Sequence, residues 1–465
     1  MKLYNDLTNK KEEFIPLTEG EVKMYCCGPT VYNFFHVGNG RAFAVFDVLR
    51  RYLIYKGYKV KYVQNFTDVD DKIINRAKQE GISAEQVADK YIEEYFIDSR
   101  ALGIMDADFH PRVSQTMPEI IKFIEDLIAS GHAYERQGDV YFDVSTFPTY
   151  GRLSGQSIYE LQAGARIDIN EIKDDPLDFA LWKAKKEDEP YWESPWGQGR
   201  PGWHIECSAM CNKFLGESID IHTGGYDLIF PHHENEIAQS EARNNVQFAK
   251  YWLHNGYINV DNVKMSKSLG NFFTVRDIAE KFDLEAVRLF ILSVQYRNPI
   301  NFSDESIIQS AAALDRLYNA KENLKYLLGT AQDKPIDENE KAWLNALIAR
   351  LAKFEAAMDD DLNTAEALGE MFEMVRELNS FANEKTSKAA LEEALNIYMK
   401  PAGILGILSG REDILLDEDI SALIEERQKA RKEKNFKRAD EIRDILKDKG
   451  IILEDTANSV KWKRG

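Results

Sequence analysis

Residues 22–65 constrain the fold more tightly than any other stretch of this chain. Val22 to Cys26 reads as a short strand that runs into Gly28-Pro29. Phe43, Phe46, Leu49 and Leu53 then recur every three or four residues, a helical period that Gly57 stops. Lys59 to Asn65 reads as a second strand. Strand, glycine-bearing turn, helix, strand is a βαβ unit, and it calls for an α/β domain built on a parallel sheet.

The pattern changes along the chain. Between residues 80 and 200 it is mixed, and Gly199 to Trp203 interrupts it with Gly and Pro. Ser218 to His222 alternates apolar and polar residues and ends in Gly224-Gly225. Tyr257 to Val260 and Val263-Lys264 flank Asp261-Asn262, a tight turn between strands. Thr274, with Asp277 three residues on, marks a helix start. From there to residue 400 the period is helical: Leu284 to Val294, Ser306 to Leu328, Glu338 to Met358 and Thr364 to Glu384. Gly403, Gly406 and Gly410 break it, and two charged helices with a short strand around Ile451 to Leu453 follow.

A chain of 465 residues is too long for one core. With 44% hydrophobic and 29% charged residues it has the balance of a soluble globular protein. No stretch is apolar enough to span a bilayer, and Met1 to Phe14 lacks an apolar signal core, so a cytoplasmic protein without membrane contact is expected. The four cysteines, Cys26, Cys27, Cys207 and Cys211, form two tight groups far apart. That is unlike a disulfide framework and favours metal binding, with buried inert thiols as the alternative. The net charge of −19 taken alone argues against nucleic acid. Arg427 to Lys449, however, holds ten basic residues against five acidic ones, a basic island in an acidic chain.

Three constellations carry chemistry. Cys27-Gly28-Pro29-Thr30 and His36-Val37-Gly38-Asn39 sit on the first strand-to-helix turn. Backbone N–H groups and the helix dipole favour anions there, so His36, Gly38 and Asn39 read as a nucleotide-phosphate site, though an ordinary βα turn would look the same. Lys264-Met265-Ser266-Lys267-Ser268 presents two lysines that can neutralise a triphosphate as pyrophosphate leaves. The third comprises Cys27, Cys207 within Gly202-Trp203-His204-Ile205-Glu206-Cys207, and Pro231-His232-His233-Glu234-Asn235-Glu236. If that last segment is helical, His232 and Glu236 share a face and two thiolates complete a zinc site. A structural zinc and a polar helix beside two core cysteines stay open, while the metalloprotease pattern fails at its last histidine.

The first two segments together resemble the paired signatures of the class I aminoacyl-tRNA synthetases, with Asn39 where the general pattern has a second histidine. Phe66-Thr67-Asp68-Val69-Asp70-Asp71, Gly199 to Cys207, His232 to Glu236 and the end from Arg431 to Trp462 resemble the cysteinyl-tRNA synthetase family. The resemblance implies a Rossmann-like catalytic domain over 1–275 with an insertion at roughly 115–200, and a signature-loop and stem-contact region over 276–310. A helical bundle over 311–408 and a small C-terminal α+β anticodon-binding module over 411–465 would follow. It also implies a zinc that takes the substrate thiolate, held by Cys27, Cys207, His232 and Glu236, with Cys26 and Cys211 structural. Thr67 and Trp203 match positions around the bound cysteine. Arg431, Asp440 and Asp455 match polar positions near the anticodon, and Phe436 is the aromatic placed to stack on an unpaired base.

The expected reaction is ATP-dependent attachment of L-cysteine to its tRNA through a cysteinyl adenylate. Zinc and magnesium are the metals, and His36, Lys264 and Lys267 stabilise charge. Asp227 is read as a contact to the cysteine or the adenosine. A monomer is expected. The alternatives are a ligase joining cysteine to a small amine with the same core, and a non-catalytic binding protein derived from a synthetase.

Overall fold

The computed structural model describes residues 1–156, 172–187, 189–260, 263–264, 273–409, 418–433, 435–448, 451–455 and 460–464. They divide into two compact units, Met1–Leu408 and Ser409–Gly465.

The first unit is built on the parallel sheet that residues 22–65 call for. Strand β3 (Glu21–Cys26) follows a small hairpin, β1 (Lys2–Asn5) and β2 (Lys10–Glu13). Helix α1 (Val37–Tyr55) carries the chain to β4 (Lys59–Gln64), which pairs parallel with β3. Gly57 closes the helix-to-strand turn at φ +93°, a conformation that suits glycine. Nearly every face of α1 is buried, its many apolar residues together with the charged Arg41, Asp47 and Arg50.

After α2 (Asp71–Glu80), α3 (Ala84–Ala101) and α4 (Met117–Ala129) come four antiparallel strands: β5 (Ala133–Arg136), β6 (Asp139–Phe142), β7 (Phe179–Ala184) and β8 (Gly199–Pro201). Helix α5 (Trp203–Leu215) then leads back to the parallel sheet through β9 (Ile219–Gly225), α6 (Glu234–Asn244) and β10 (Ala249–Asn255). The sheet order is β10-β9-β3-β4, so consecutive connections leave β3 toward opposite edges. Such a switch point opens a crevice at the carboxyl ends of the strands. One core fills the face that holds α1, and a second packs α4, α5 and α6 on the other.

Strand β11 (Ile258–Val260) pairs antiparallel with β12 (Val263–Lys264) and parallel with β13 (Ile300–Phe302). The turn expected at Asp261-Asn262 lies outside the described residues. Thr274 and Asp277 form a reciprocal cap on α7 (Val275–Ala279), which precedes α8 (Leu284–Leu292). The bundle comprises α9 (Asp304–Thr330), α10 (Glu338–Asp359), α11 (Thr364–Phe381) and α12 (Lys388–Leu405). Helix α9 runs unbroken through residue 310, so the boundary expected there cuts a helix. Gly403 does not stop α12 as its sequence suggests; Gly406, in the left-handed conformation at φ +65°, caps it.

The second unit holds α13 (Glu418–Lys432), α14 (Phe436–Asp448) and a hairpin of β14 (Ile451–Asp455) and β15 (Val460–Arg464). Among the described residues no helix is long and apolar enough to cross a membrane.

Candidate active site

Cys27 is the first residue beyond β3, and the backbone there tolerates little variation. A Cβ on Gly28 would lie 1.6 Å from the Asn65 carbonyl oxygen. With glycine present, the Gly28 N–H donates to Asn65 Oδ1 at 2.9 Å, and Val31 N–H and Thr67 N–H bond across to Thr67 and Pro29 carbonyls. The loops after β3 and β4 are thereby zipped together, which brings Cys27, Asn65 and Thr67 to one point.

Helix α5 enters from the other side. Gly202, where a Cβ would lie 1.9 Å from the Ala180 oxygen, lets it start close to β7. Cys207 comes on the second turn of α5; Cys211, one turn later, is fully buried in the core, as is Cys26. His232 does not lie on a regular helix with Glu236, as the sequence reading supposes. Helix α6 begins at Glu234, and Ile229–His233 is an irregular turn with extended backbone at Phe230. The turn still places His232 Nε2 3.1 Å from Glu236 Oε1.

Four groups therefore converge. Cys27 Sγ lies 3.8 Å from Cys207 Sγ and 3.3 Å from Glu236 Oε1, and the donor atoms of Cys27, Cys207, His232 and Glu236 all fall within 4.8 Å of one another. All four side chains are buried. Two soft thiols, one imidazole and one carboxylate are a donor set that suits zinc.

A second set overlaps the first: Cys27, His222, His233 and Glu236. His222 Nε2 is 2.9 Å from Glu236 Oε2, and His233 Nε2 is 3.4 Å from Cys27 Sγ. His233 Nδ1 also pairs with His254 Nε2 at 2.8 Å, and His254 Nδ1 with Asp6 Oδ2 at 2.7 Å. These histidines are committed to one another beneath the cluster. The set with Cys207 and His232 instead faces Trp203, whose ring stacks 4.2 Å from His232 and is 42% exposed. That is the side a small molecule can reach.

The electrostatics favour a charged cluster. Burial raises the Cys27 thiol well above its ordinary range. The bond from Cys27 outweighs burial at Cys207 and brings it down to about 7. Burial opposes charge on Glu236, yet His222 and His232 hold its carboxyl down to about 2. Burial likewise opposes charge on His232, but Cys207 and Glu236 raise it to about 10. Glu236 thus carries negative charge against the protonated His232, while Cys27 keeps its proton; a cation bound there would take the place of the protons on Cys27 and His232.

Thr67, 2% exposed, donates to Glu206 Oε2 at 3.2 Å beside this cluster. His36 is the N-cap of α1, and its Nδ1 accepts the Asn39 N–H at 3.2 Å, which leaves the proton of the neutral ring on Nε2. Gly38 and Asn39 form the first turn behind it. Phe35–Val37 is locked to the chain beyond the lysine segment: Val275 N–H donates to the Phe35 carbonyl, His36 bridges Thr274, and Val37 N–H donates to the Phe273 carbonyl. Of that segment only Lys264 has a described backbone; its side chain and Lys267 lie outside the described residues. Asp227 is exposed in the short turn Tyr226–Leu228 beyond β9.

In the second unit Arg431, Asp440 and Phe436 are exposed, Phe436 at 61%, while Ala430, Ala439, Ile442 and Leu446 are buried. Phe436 is therefore not spent on packing the two helices. The Asp455 backbone ends β14, and its side chain lies outside the described residues.

The sequence reading missed His222, His233, His254 and Asp6. His222 falls on a buried strand, where a lone histidine looks like core, and only the β9–β10 pairing brings His254 to His233.

Residues 13–312 match the model of the class I tRNA synthetase (C) catalytic domain, 353–409 the DALR domain, and 415–462 the cysteinyl-tRNA ligase anticodon binding domain. A cysteine–tRNA ligase of Clostridioides difficile (strain 630) is 57% identical over 464 residues, covering 100% of both chains. The fold is similar to that of Mycobacterium tuberculosis methionyl-tRNA synthetase in complex with methionyl-adenylate, with TM-score 0.60, 16% identity, and 83% of this chain and 89% of that one covered. It is also similar to the LeuRS of Agrobacterium radiobacter K84 in its ternary complex with tRNA and LeuAMS, with TM-score 0.61, 12% identity and 85% of each chain covered.

Proposed function

This chain belongs to the cysteine–tRNA ligases of the class I aminoacyl-tRNA synthetases, and we propose on that premise that it selects cysteine through a zinc held by Cys27, Cys207, His232 and Glu236. The reaction is ATP-dependent attachment of cysteine to tRNA. The observation that carries the zinc reading is the convergence of two thiols, an imidazole and a carboxylate at the carboxyl edge of the sheet. Bound there, zinc supplies a borderline-soft Lewis acid that prefers the thiolate of cysteine to the hydroxyl of serine.

The rest of the site belongs to the chain. Trp203 and Thr67 border the substrate; Trp203 stacks on His232, and Thr67 is fixed by Glu206. The carboxylate of the bound cysteine attacks the α-phosphate of ATP, giving cysteinyl adenylate and pyrophosphate, and the tRNA 3′-terminal ribose then displaces AMP. The start of α1 offers the Gly38 N–H and a positive helix end to the phosphates, with His36 Nε2–H as donor. Lys264 and Lys267 neutralise the departing pyrophosphate. Asp227, in the turn beyond β9, contacts the cysteine or the adenosine, and magnesium accompanies ATP. Arg431, Phe436, Asp440 and Asp455 contact the tRNA in the anticodon region. The enzyme acts in the cytoplasm as a monomer.

Cysteine-dependent ATP–pyrophosphate exchange, followed by charging of tRNA, tests the reading. Exchange without charging would favour transfer to a small amine, and the absence of exchange would leave a non-catalytic binding protein.

A further inference from the structure

Arg41 is 0% exposed and stands in the second turn of α1. No carboxylate lies within ion-pair distance of it among the described residues. Its guanidinium is instead held by four backbone carbonyls: Nη1 donates to Gly256 and Tyr257 at 2.8 Å each, and Nη2 to Tyr296 at 3.1 Å and Asn298 at 2.6 Å. Burial lowers it to about 10. A fully buried cation without a counter-ion is costly, so stability alone is a poor reason for it.

The four carbonyls share a place in the fold. Gly256 and Tyr257 lead into β11, and Tyr296 and Asn298 lead into β13, its parallel partner. The two leads are cross-bonded, Gly256 N–H to Tyr296 and Ile300 N–H to Tyr257. Gly256 is required there, because a Cβ would lie 2.6 Å from the Asn298 carbonyl. Strand β11 pairs with β12, where Asn259 lies opposite Lys264. The other side of that segment is tied to the same helix by the His36–Thr274 bridge. The start of α1 thus grips both flanks of the stretch that bears the two lysines, and His36 sits five residues before Arg41, about 7.5 Å along the axis.

We propose that Arg41 is a positioning residue for adenylate formation, setting the strand that carries Lys264 at a fixed distance from His36. The guanidinium suits this task. Its planar fork meets four acceptors at once, whereas a lysine ammonium has three donors and no plane. The proposal rests on the activity assigned above.

The test compares wild type, Arg41→Lys and Arg41→Met as full-length holoenzymes. Cysteine-dependent exchange is measured for kcat and KM, together with zinc content, thermal midpoint and single-turnover transfer from preformed adenylate to tRNA. Misplacement by an ångström costs about 100-fold, so Arg41→Met should lose roughly that in exchange kcat. The KM for cysteine, the zinc content and the transfer step should stay within about twofold, and Arg41→Lys should fall between the two. An exchange kcat within about threefold of wild type in Arg41→Met would overturn the proposal. So would a parallel loss of activation and transfer, which marks a purely structural role. If Arg41→Met does not fold, Arg41→Lys decides by the same split between kcat and KM. Wild-type protein without exchange would instead refute the activity reading.

Discussion

Glu236 turns its Oε2 to His222 Nε2 at 2.9 Å. Its other oxygen, Oε1, faces His232 and Cys27. His222 is therefore the residue that fixes which way the carboxylate points. Replacing such a partner lowers metal affinity by roughly 10- to 100-fold, and His222→Ala should show this in competition with a chelator. Unchanged affinity would mean that Glu236 is oriented by other contacts.

Purified protein should carry close to one zinc per chain. Cys207→Ala should lose zinc and cysteine affinity together, read by metal analysis and by cysteine titration of the exchange rate. Full zinc with weakened cysteine binding would point to the deeper set of Cys27, His222, His233 and Glu236.

Lys267→Ala should depress the exchange kcat far more than it raises the KM for cysteine, because charge on the leaving pyrophosphate develops only in the transition state. Steady-state exchange kinetics at saturating and limiting cysteine would separate the two. An unaltered kcat would reduce the segment to a surface turn.

Arg288 is fully buried and donates to Asp47 Oδ2 and to the Leu405 and Leu102 carbonyls, joining α1 to the end of the bundle. Asp47→Ala strands that cation and should destabilise the first unit by about 3–5 kcal/mol. Denaturant unfolding followed by tryptophan fluorescence measures it. A loss below about 1 kcal/mol would show that the carbonyls alone suffice.

Truncation after Ser409 should leave cysteine activation nearly intact, since every residue assigned to activation lies before it. Charging of tRNA should fall sharply, and the salt dependence of tRNA affinity should flatten as phosphate contacts are lost. Undiminished charging would mean that the C-terminal unit does not read the anticodon.

The local parts of this molecule were legible from the sequence. The period of Phe43, Phe46, Leu49 and Leu53 gave α1, and Thr274 with Asp277 marked a cap, because both signals are written within a few residues. Parts that depend on distant segments were not. The alternation at Ser218 to His222 suggests a strand but not its place beside β3, which puts His222 under Glu236. Arg41 reads as one more helix former until Gly256 and Asn298 are seen to close around it. Gly403 looks like a stop, yet tertiary packing carries α12 past it.

The loop from Cys27 to His36 joins β3 to α1, and the proposed zinc ligand and the proposed phosphate donor stand at its two ends. Those two points are set by one short, zipped connection, so the distance between them is a built-in gauge. A substrate whose sulfur is taken by a zinc held at Cys27 would present its carboxylate at a single depth. A thiol amino acid one methylene longer would be held equally well by its sulfur yet arrive out of line with the α-phosphate. The site should therefore discriminate by length as well as by element, binding the longer thiol while failing to activate it.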